Sequence, residues 1–207
     1  MFNKLVIIEK INIPDIHIEK LNAVAKEVIY FKDLPNSDEE IIKRIDDADA
    51  VLLSYTSYIN KNILENCKNI KSIKLPTSLR FIDEGAFKGC KSLETIIIPH
   101  NVKAIEDYAF AMCDNLASVN FEESSSLIVI GESAFDGCTK LSQIILPECL
   151  KTIKNYAFYG CGSLEKITLP ISLESIGAYS FSQYNTIDLL RIIYSHSNSY
   201  SSFSSLL

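Results

Sequence analysis

The chain has 207 residues, 47% hydrophobic and 22% charged, with a net charge of −6. That is enough apolar content for a core, and neither half of the chain is basic, which excludes the cationic stripe that a nucleic-acid surface needs. No stretch approaches the ~18 apolar residues of a membrane span. The opening MFNKLVIIEKINIPDIHIEK interrupts its apolar run with charges too early for a secretory leader. The expected location is cytoplasmic, and a surface location would require an export route that the sequence does not display.

Residues 1–66 read as strand, helix, strand, helix, strand. Leu5 to Ile8 is a short apolar run. Pro14-Asp15 opens a helical pattern with Ile18, Leu21, Ala25 and Val28 near helical spacing. Val28 to Phe31 is a second strand, and Leu34-Pro35-Asn36 turns the chain. Ser37 and Glu40 form a capping box, Ser37 accepting from the Glu40 amide while the Glu40 side chain reaches back. Ile41, Ile42 and Ile45 supply a buried helix face. Ala50 to Leu53 is a third strand, and Asn60 caps a short helix carrying Ile63 and Leu64. Alternating strands and helices indicate a parallel sheet with helices on its faces.

The segment LVIIEK followed by EVIYFKDLPNSDEEIIKRIDDADAVLLSYTSYINKNILENCKNIKSI resembles the opening of the D-2-hydroxyacid dehydrogenase substrate domain over roughly the first 75 residues. The resemblance implies a truncated flavodoxin-like fragment, 1–66, acting as an N-terminal cap. The chain lacks the G-x-G-x-x-G turn that seats a dinucleotide on a helix N-terminus, and no position inherits that family's catalytic Arg, Glu or His. The loop Ser54-Tyr55-Thr56-Ser57 follows a strand, where such sheets bind ligands. It carries the alternative expectation of a small 2-hydroxy or 2-keto acid site without catalysis.

From residue 67 the chain repeats. Cys67, Cys90, Cys113, Cys138 and Cys161 stand 23, 23, 25 and 23 residues apart. A fixed period of this length marks a solenoid. Each copy continues with L-x-x-I-x-L, as in Leu93, Ile96 and Ile98, then a proline (Pro76, Pro99, Pro147, Pro170). L-x-x-I and Ala-Phe follow, the fifth copy having Ser180-Phe181. Gly89, Gly137 and Gly160 precede three of the cysteines and permit turns with positive φ. The third copy has Glu122 in the proline position and two extra residues in FEESSSL, read as a longer turn and not a break. One coil cannot repay its own ordering entropy, so stability must come from stacking.

These five in-phase copies resemble the BspA-like leucine-rich repeats over about residues 67–193, with a partial sixth copy and a Ser-rich tail at 194–207. The fold expected is therefore an α/β N-terminal fragment followed by a β-rich leucine-rich-repeat solenoid, with one continuous parallel sheet through Ile70 to Leu75. The family resemblance implies binding to proteins.

The cysteine column is read as buried free thiols, since side chains projecting in parallel do not easily meet disulfide geometry and no metal-ligand spacing is present. Cys149, in a turn, is expected to be the most accessible thiol. His17, His100 and His196 have no nucleophile or acid partner at motif spacing, and Asp46, Asp47 and Asp49 read as a solvated acidic turn. We expect no enzyme activity, no cofactor and no metal. The functional surface expected is the outward row of the first strand of each coil: Lys74, Ile97, Asn120, Ile145, Thr168 and Arg191. A second row comprises Ser72, Thr95, Ser118, Gln143, Lys166 and Leu189. The reading is a non-catalytic protein-binding module with a protein partner; a fusion product without selected function is a third.

Overall fold

A computed structural model describes residues 1–8, 15–52, 61–67, 69–182 and 191–194. The N-terminal part runs β1 (Phe2–Ile7), α1 (Asp15–Val24), β2 (Ala25–Tyr30), α2 (Asp38–Ile45), β3 (Ala50–Leu52) and α3 (Lys61–Asn66). Its strands are parallel in the order β2-β1-β3. The central parts of β1 and β3 are apolar and covered on both faces, whereas the edge strand β2 exposes Lys26 and Glu27. Val6, Ile8 and Val51 join Ile41 and Ile45 of α2 in the main core, while Leu5, Ala25 and Ala50 pack with Leu21 and Val28 on the other side.

Two local expectations are corrected. α1 ends at Val24, so Ala25 and Val28 belong to β2 and not to the helix; their spacing fits either period, and pairing with β1 decides it. In the capping box, Ser37 Oγ accepts from Glu40 N at 3.3 Å, but Glu40 Oε2 accepts from Asn36 N at 2.8 Å, one residue outside the cap. The last turn of α2 is anchored by Arg44, whose guanidinium donates to the carbonyls of Ile8 and Asp33 at 2.7 and 2.9 Å. It also pairs with Asp33 and Glu40 and lies over the Phe31 ring. A buried charge is tolerated only when saturated in this way.

The repeats continue this sheet without a linker. β4 (Ser72–Lys74), β6 (Thr95–Ile98) and β8 (Ser118–Phe121) extend it to the order β2-β1-β3-β4-β6-β8. The handover is visible in the ladder. The Asp49 carbonyl accepts from Lys71 and Ser72, as the Lys71 carbonyl does from Glu94 and Thr95, and the Glu94 carbonyl from Ala117 and Ser118. Leu64 and Cys67 of the α3 segment stand in phase with Phe87 and Cys90, so α3 occupies the place of a repeat turn. A cavity of about 450 Å³ lies at this junction, lined by Leu64, Cys67, Ile73, Phe87, Cys90 and Leu93.

A second parallel sheet, order β13-β11-β9-β7-β5, forms from two-residue strands: β5 (Phe81–Ile82), β7 (Ala104–Ile105), β9 (Val129–Ile130), β11 (Thr152–Ile153) and β13 (Ser175–Ile176). The prolines sit where the first strands end, and their carbonyls accept from the residue three places on, as Pro99 does from Val102 at 3.1 Å. Inside the coils, Phe87, Phe110, Phe135, Phe158 and Phe181 form one stack, with neighbouring centroids 4.9–5.6 Å apart and planes within 9°. Each buried ring contributes roughly 1.5–3 kcal/mol of transfer energy, and stacking adds about 0.5–1.5. The turn between Ala-Phe and Cys uses left-handed backbone: Gly89, Gly137 and Gly160 have φ of 76, 72 and 68°, and Met112 holds the same place at 60°.

The third copy does break the first sheet, contrary to the sequence reading. β10 (Gln143–Ile145), β12 (Lys166–Leu169) and β14 (Arg191–Tyr194) form a separate three-stranded sheet, with no ladder between β8 and β10. The two extra residues fall between Phe121 and Leu127, where Ser124 adopts φ 57°, and the loop they form displaces the next strand. The second sheet runs through unbroken, β9 pairing with both β7 and β11.

Candidate functional site: the outer strand face

Alternation in the first strands sends Ile73, Ile96, Val119, Ile144 and Ile167 inward, where all are buried. Their neighbours face out. Lys74, Ile97 and Asn120 are register partners, as are Ile145 and Thr168. Lys74 and Asn120 are exposed and Thr168 is half-buried. Ile97 is 50% and Ile145 73% exposed, the apolar members of the row from Lys74 to Thr168. Asn120 Nδ2 donates to Ser118 Oγ at 2.8 Å, which holds its amide flat along β8.

Arg191 is the correction in this row. β14 pairs Arg191 with Lys166 and Ile193 with Thr168, a two-residue shift from the expected register. Arg191 therefore belongs to the row of Ser72, Thr95, Ser118, Gln143 and Lys166, and Ile193 takes its place beside Thr168. Leu189 lies outside the described residues, as do Ser54 to Ser57 and His196.

Where β8 and β10 part, the face opens into a cleft of about 590 Å³. Its walls include Asn120, Glu122, Ser125, Gln143, Ile145 and Glu148. The sequence reading missed it; the signal was the insertion next to the lost proline. Glu122 replaces a residue without an N–H, and its amide donates to the Ile98 carbonyl at 3.0 Å. Its carboxylate accepts from His100 N at 3.1 Å and meets His100 Nδ1 at 2.9 Å. The hydrogen bonds from the His100 ring and amide hold the Glu122 carboxyl below the usual glutamate range.

The cysteines are all free. Cys67, Cys113, Cys138 and Cys161 are buried, and Cys90 is half-buried. Each inner thiol also donates across one coil: Cys113 to the Phe87 carbonyl, Cys138 to Phe110 and Cys161 to Phe135, at 3.0–3.2 Å. Burial raises the Cys67 pKa to about 11 and pushes those of Cys113, Cys138 and Cys161 higher, which suppresses thiolate chemistry. Cys149 is half-buried like Cys90 and donates to the carbonyls of Ser125 and Leu127 at 2.8 and 3.1 Å, pinning the longer loop.

The acidic turn divides. Asp46 and Asp47 are solvated and pair with Lys4. Asp49 is buried, not solvated, and accepts from the amides of Asn3 and Lys4 and from the Asn3 side chain at 2.9–3.3 Å. These bonds are structural: they hold β1 against β3. Among the described residues no group of His, Cys, Asp and Glu is arranged to hold a metal ion, and no helix is long and apolar enough to cross a membrane.

This solenoid of stacked parallel coils, with a Cys and Phe column inside and a strand face outside, is that of a leucine-rich repeat. The profile of the BspA type Leucine rich repeat region, in six copies, matches residues 49–127 and 124–205, and the chain belongs to that family. The match begins ahead of Cys67, at Asp49, whose carbonyl starts the repeated ladder, and takes in β3. Among solved structures, the leucine-rich repeat protein of T. pallidum is 28% identical, with 66% of this chain and 60% of that chain covered and a TM-score of 0.52. A leucine-rich repeat protein from Bacteroides ovatus is 19% identical, over 81% of this chain and 63% of that chain, with a TM-score of 0.42. The chain thus spans under two thirds of the length of either. No curated protein matches it.

Proposed function

We propose that the chain is a non-catalytic protein-binding module and that the outer strand face, centred on Ile97 and Ile145, is its contact surface. The observation that carries this is exposure. Two isoleucines on one face are half to three-quarters open to solvent, while the other strand isoleucines whose burial is described are largely buried. Apolar groups grouped on a regular repeat surface favour a partner, and leucine-rich repeats commonly serve protein–protein contact. Lys74, Asn120 and Thr168 flank the two isoleucines. The N-terminal strands then serve as a cap that covers the first coil, a role consistent with the unbroken order β2-β1-β3-β4. Their likeness to a dehydrogenase substrate domain would be a matter of ancestry, with no catalysis retained.

The test is quantitative affinity capture with the full chain against Ile97→Asp/Ile145→Asp. A partner retained by the wild type and lost in the folded double variant supports the reading. A partner held equally by both removes the face from consideration.

A further inference from the structure

The repeat register places the Ala117 carbonyl where Lys71, Glu94 and Ser142 offer theirs to the next coil. Those three are used: Lys71 accepts from Glu94 at 2.8 Å, Glu94 from Ala117 at 2.9 Å and Ser142 from Glu165 at 2.9 Å. At the break between β8 and β10 the corresponding bond, Ser142 N–H to the Ala117 carbonyl, is not made among the described residues. Main-chain groups at the strand edges thus meet a cleft where elsewhere they meet each other.

The cleft has a definite chemical character. Among the described residues its charged wall groups are Glu122 and Glu148, both acidic; Lys74 acts on Glu122 through space but does not line the cleft. Ser118, Asn120 and Gln143 add hydrogen-bonding side chains, and Ile145, 73% exposed, stands at the edge as an apolar anchor. Neighbouring coils neutralise their surface acids with lysines: Glu94 pairs with Lys71 at 3.1 Å and Glu174 with Lys151 at 2.9 Å. A cationic group from outside would do the same for this pair.

The geometry points to the break as the specificity site of the proposed protein contact, receiving an extended peptide segment that carries a lysine or arginine. The segment lies across the strand ends with its aliphatic neighbours on Ile145. Its cation enters the cleft toward Glu122 and Glu148, and its main chain meets the unpaired strand edges. Charge complementarity favours the occupant: anionic peptides and nucleic acid are repelled, and a neutral peptide adds no counter-charge to Glu148 or to Glu122 beyond what His100 and Lys74 already supply to the latter. Glu122 brings a pre-oriented carboxylate, since His100 already fixes its position. The inference rests on the outer face being a protein contact.

The probe is an array of seven-residue peptides, alternating Thr and Val, with Lys, Arg, Gln or Glu at the centre, overlaid with the fluorescently labelled full chain. We expect Lys and Arg spots to retain about fivefold or more of the signal of Gln spots, and Glu spots none, with the preference falling as salt rises. Glu148→Gln, a change at an exposed residue, is expected to shrink the preference, and Glu122→Gln/Glu148→Gln to abolish it, with thermal melts confirming the fold. Equal signal whatever the central residue, or a preference that survives in the double variant, overturns the inference. Ile97→Asp separates the two levels, because Ile97 does not line the cleft. Binding without charge preference that Ile97→Asp removes keeps the face and discards the cleft. No binding to any spot removes both.

Discussion

Lys154 reaches back over an entire coil to Asp107, Nζ 2.9 Å from Oδ1, and Gly131 lies in the coil between. Asp107 Oδ1 also accepts from the Glu132 amide at 2.8 Å. The device recurs two coils on, where Asn155 Oδ1 accepts from the Ala178 amide at 2.9 Å beside Gly177. An Asp or Asn in copies two and four thus clasps the amide following a glycine in copies three and five. Burial would raise the Asp107 pKa, but the bonds from Lys154 and Glu132 outweigh it and hold the carboxyl below its usual range.

The clasp makes Gly131 irreplaceable. A Cβ there would stand 2.5 Å from both Asp107 N and Glu106 C, which are backbone atoms and cannot rotate away. Gly131→Ala should therefore force two coils apart and cost about 2 kcal/mol or more, at the upper end for overpacking. Denaturant melts will show it as a lower midpoint. Gly162→Ala, where nothing lies within 4 Å, is the control expected to change little.

Met112 gives the opposite sign. It sits at φ 60° where the other copies place Gly89, Gly137 and Gly160, and its side chain is 53% exposed. A left-handed L residue costs roughly 1–2 kcal/mol, and glycine returns part of that through its greater unfolded entropy. Met112→Gly should raise stability by about 0.5–1 kcal/mol. A midpoint at or below that of the wild type would show that the methionine side chain contributes packing that offsets the strain.

These residues also show what the sequence makes legible. The inward positions repeat in every coil, so Cys113, Leu116, Val119 and their equivalents announce the solenoid through periodicity alone. The clasp was written in the chain as Ile-Gly in alternate copies, but its meaning depends on the coil below, and a single copy does not reveal it. The break between β8 and β10 was hidden because an insertion of two leaves the parity of every later strand intact. The same arithmetic concealed the register of β14, where a slip of two preserves the alternation and pairs Arg191 with Lys166 in place of Thr168. The phenylalanine stack was visible as five residues in one phase; their rings' shared orientation is a property of the packed turns.

The buried thiols set the alkaline limit. Cys67 is raised from 9.0 to about 11 by burial, and Cys113, Cys138 and Cys161 further, again chiefly by burial. Above pH 9 the unfolded chain loses thiol protons that the folded chain keeps, so the folded state binds more protons and stability falls as pH rises. The contribution is complete below pH 9 and is lost progressively above it. Unfolding midpoints measured from neutral to alkaline pH should decline over that window, and the decline should be shallower in Cys113→Ala/Cys138→Ala. An unchanged slope would mean that these thiols ionise in the folded protein.

Hydrogen exchange should expose the break directly. Glu165 N–H donates to the Ser142 carbonyl at 2.9 Å, whereas Ser142 N–H, one coil earlier, lacks the corresponding acceptor. The inner side of the junction is nevertheless intact: Phe110 and Phe135 stack at 5.2 Å and β9 joins β7 to β11. Exchange at Ser142 therefore requires no separation of the core, only solvent access at the cleft. Its amide should exchange faster than that of Glu165, at conditions where Ile130 and Ile153 remain protected. Equal protection of Ser142 and Glu165 would mean that the ladder closes in solution, and the cleft with it. A cationic peptide seated there should slow exchange at Ser142 and leave Glu165 unchanged.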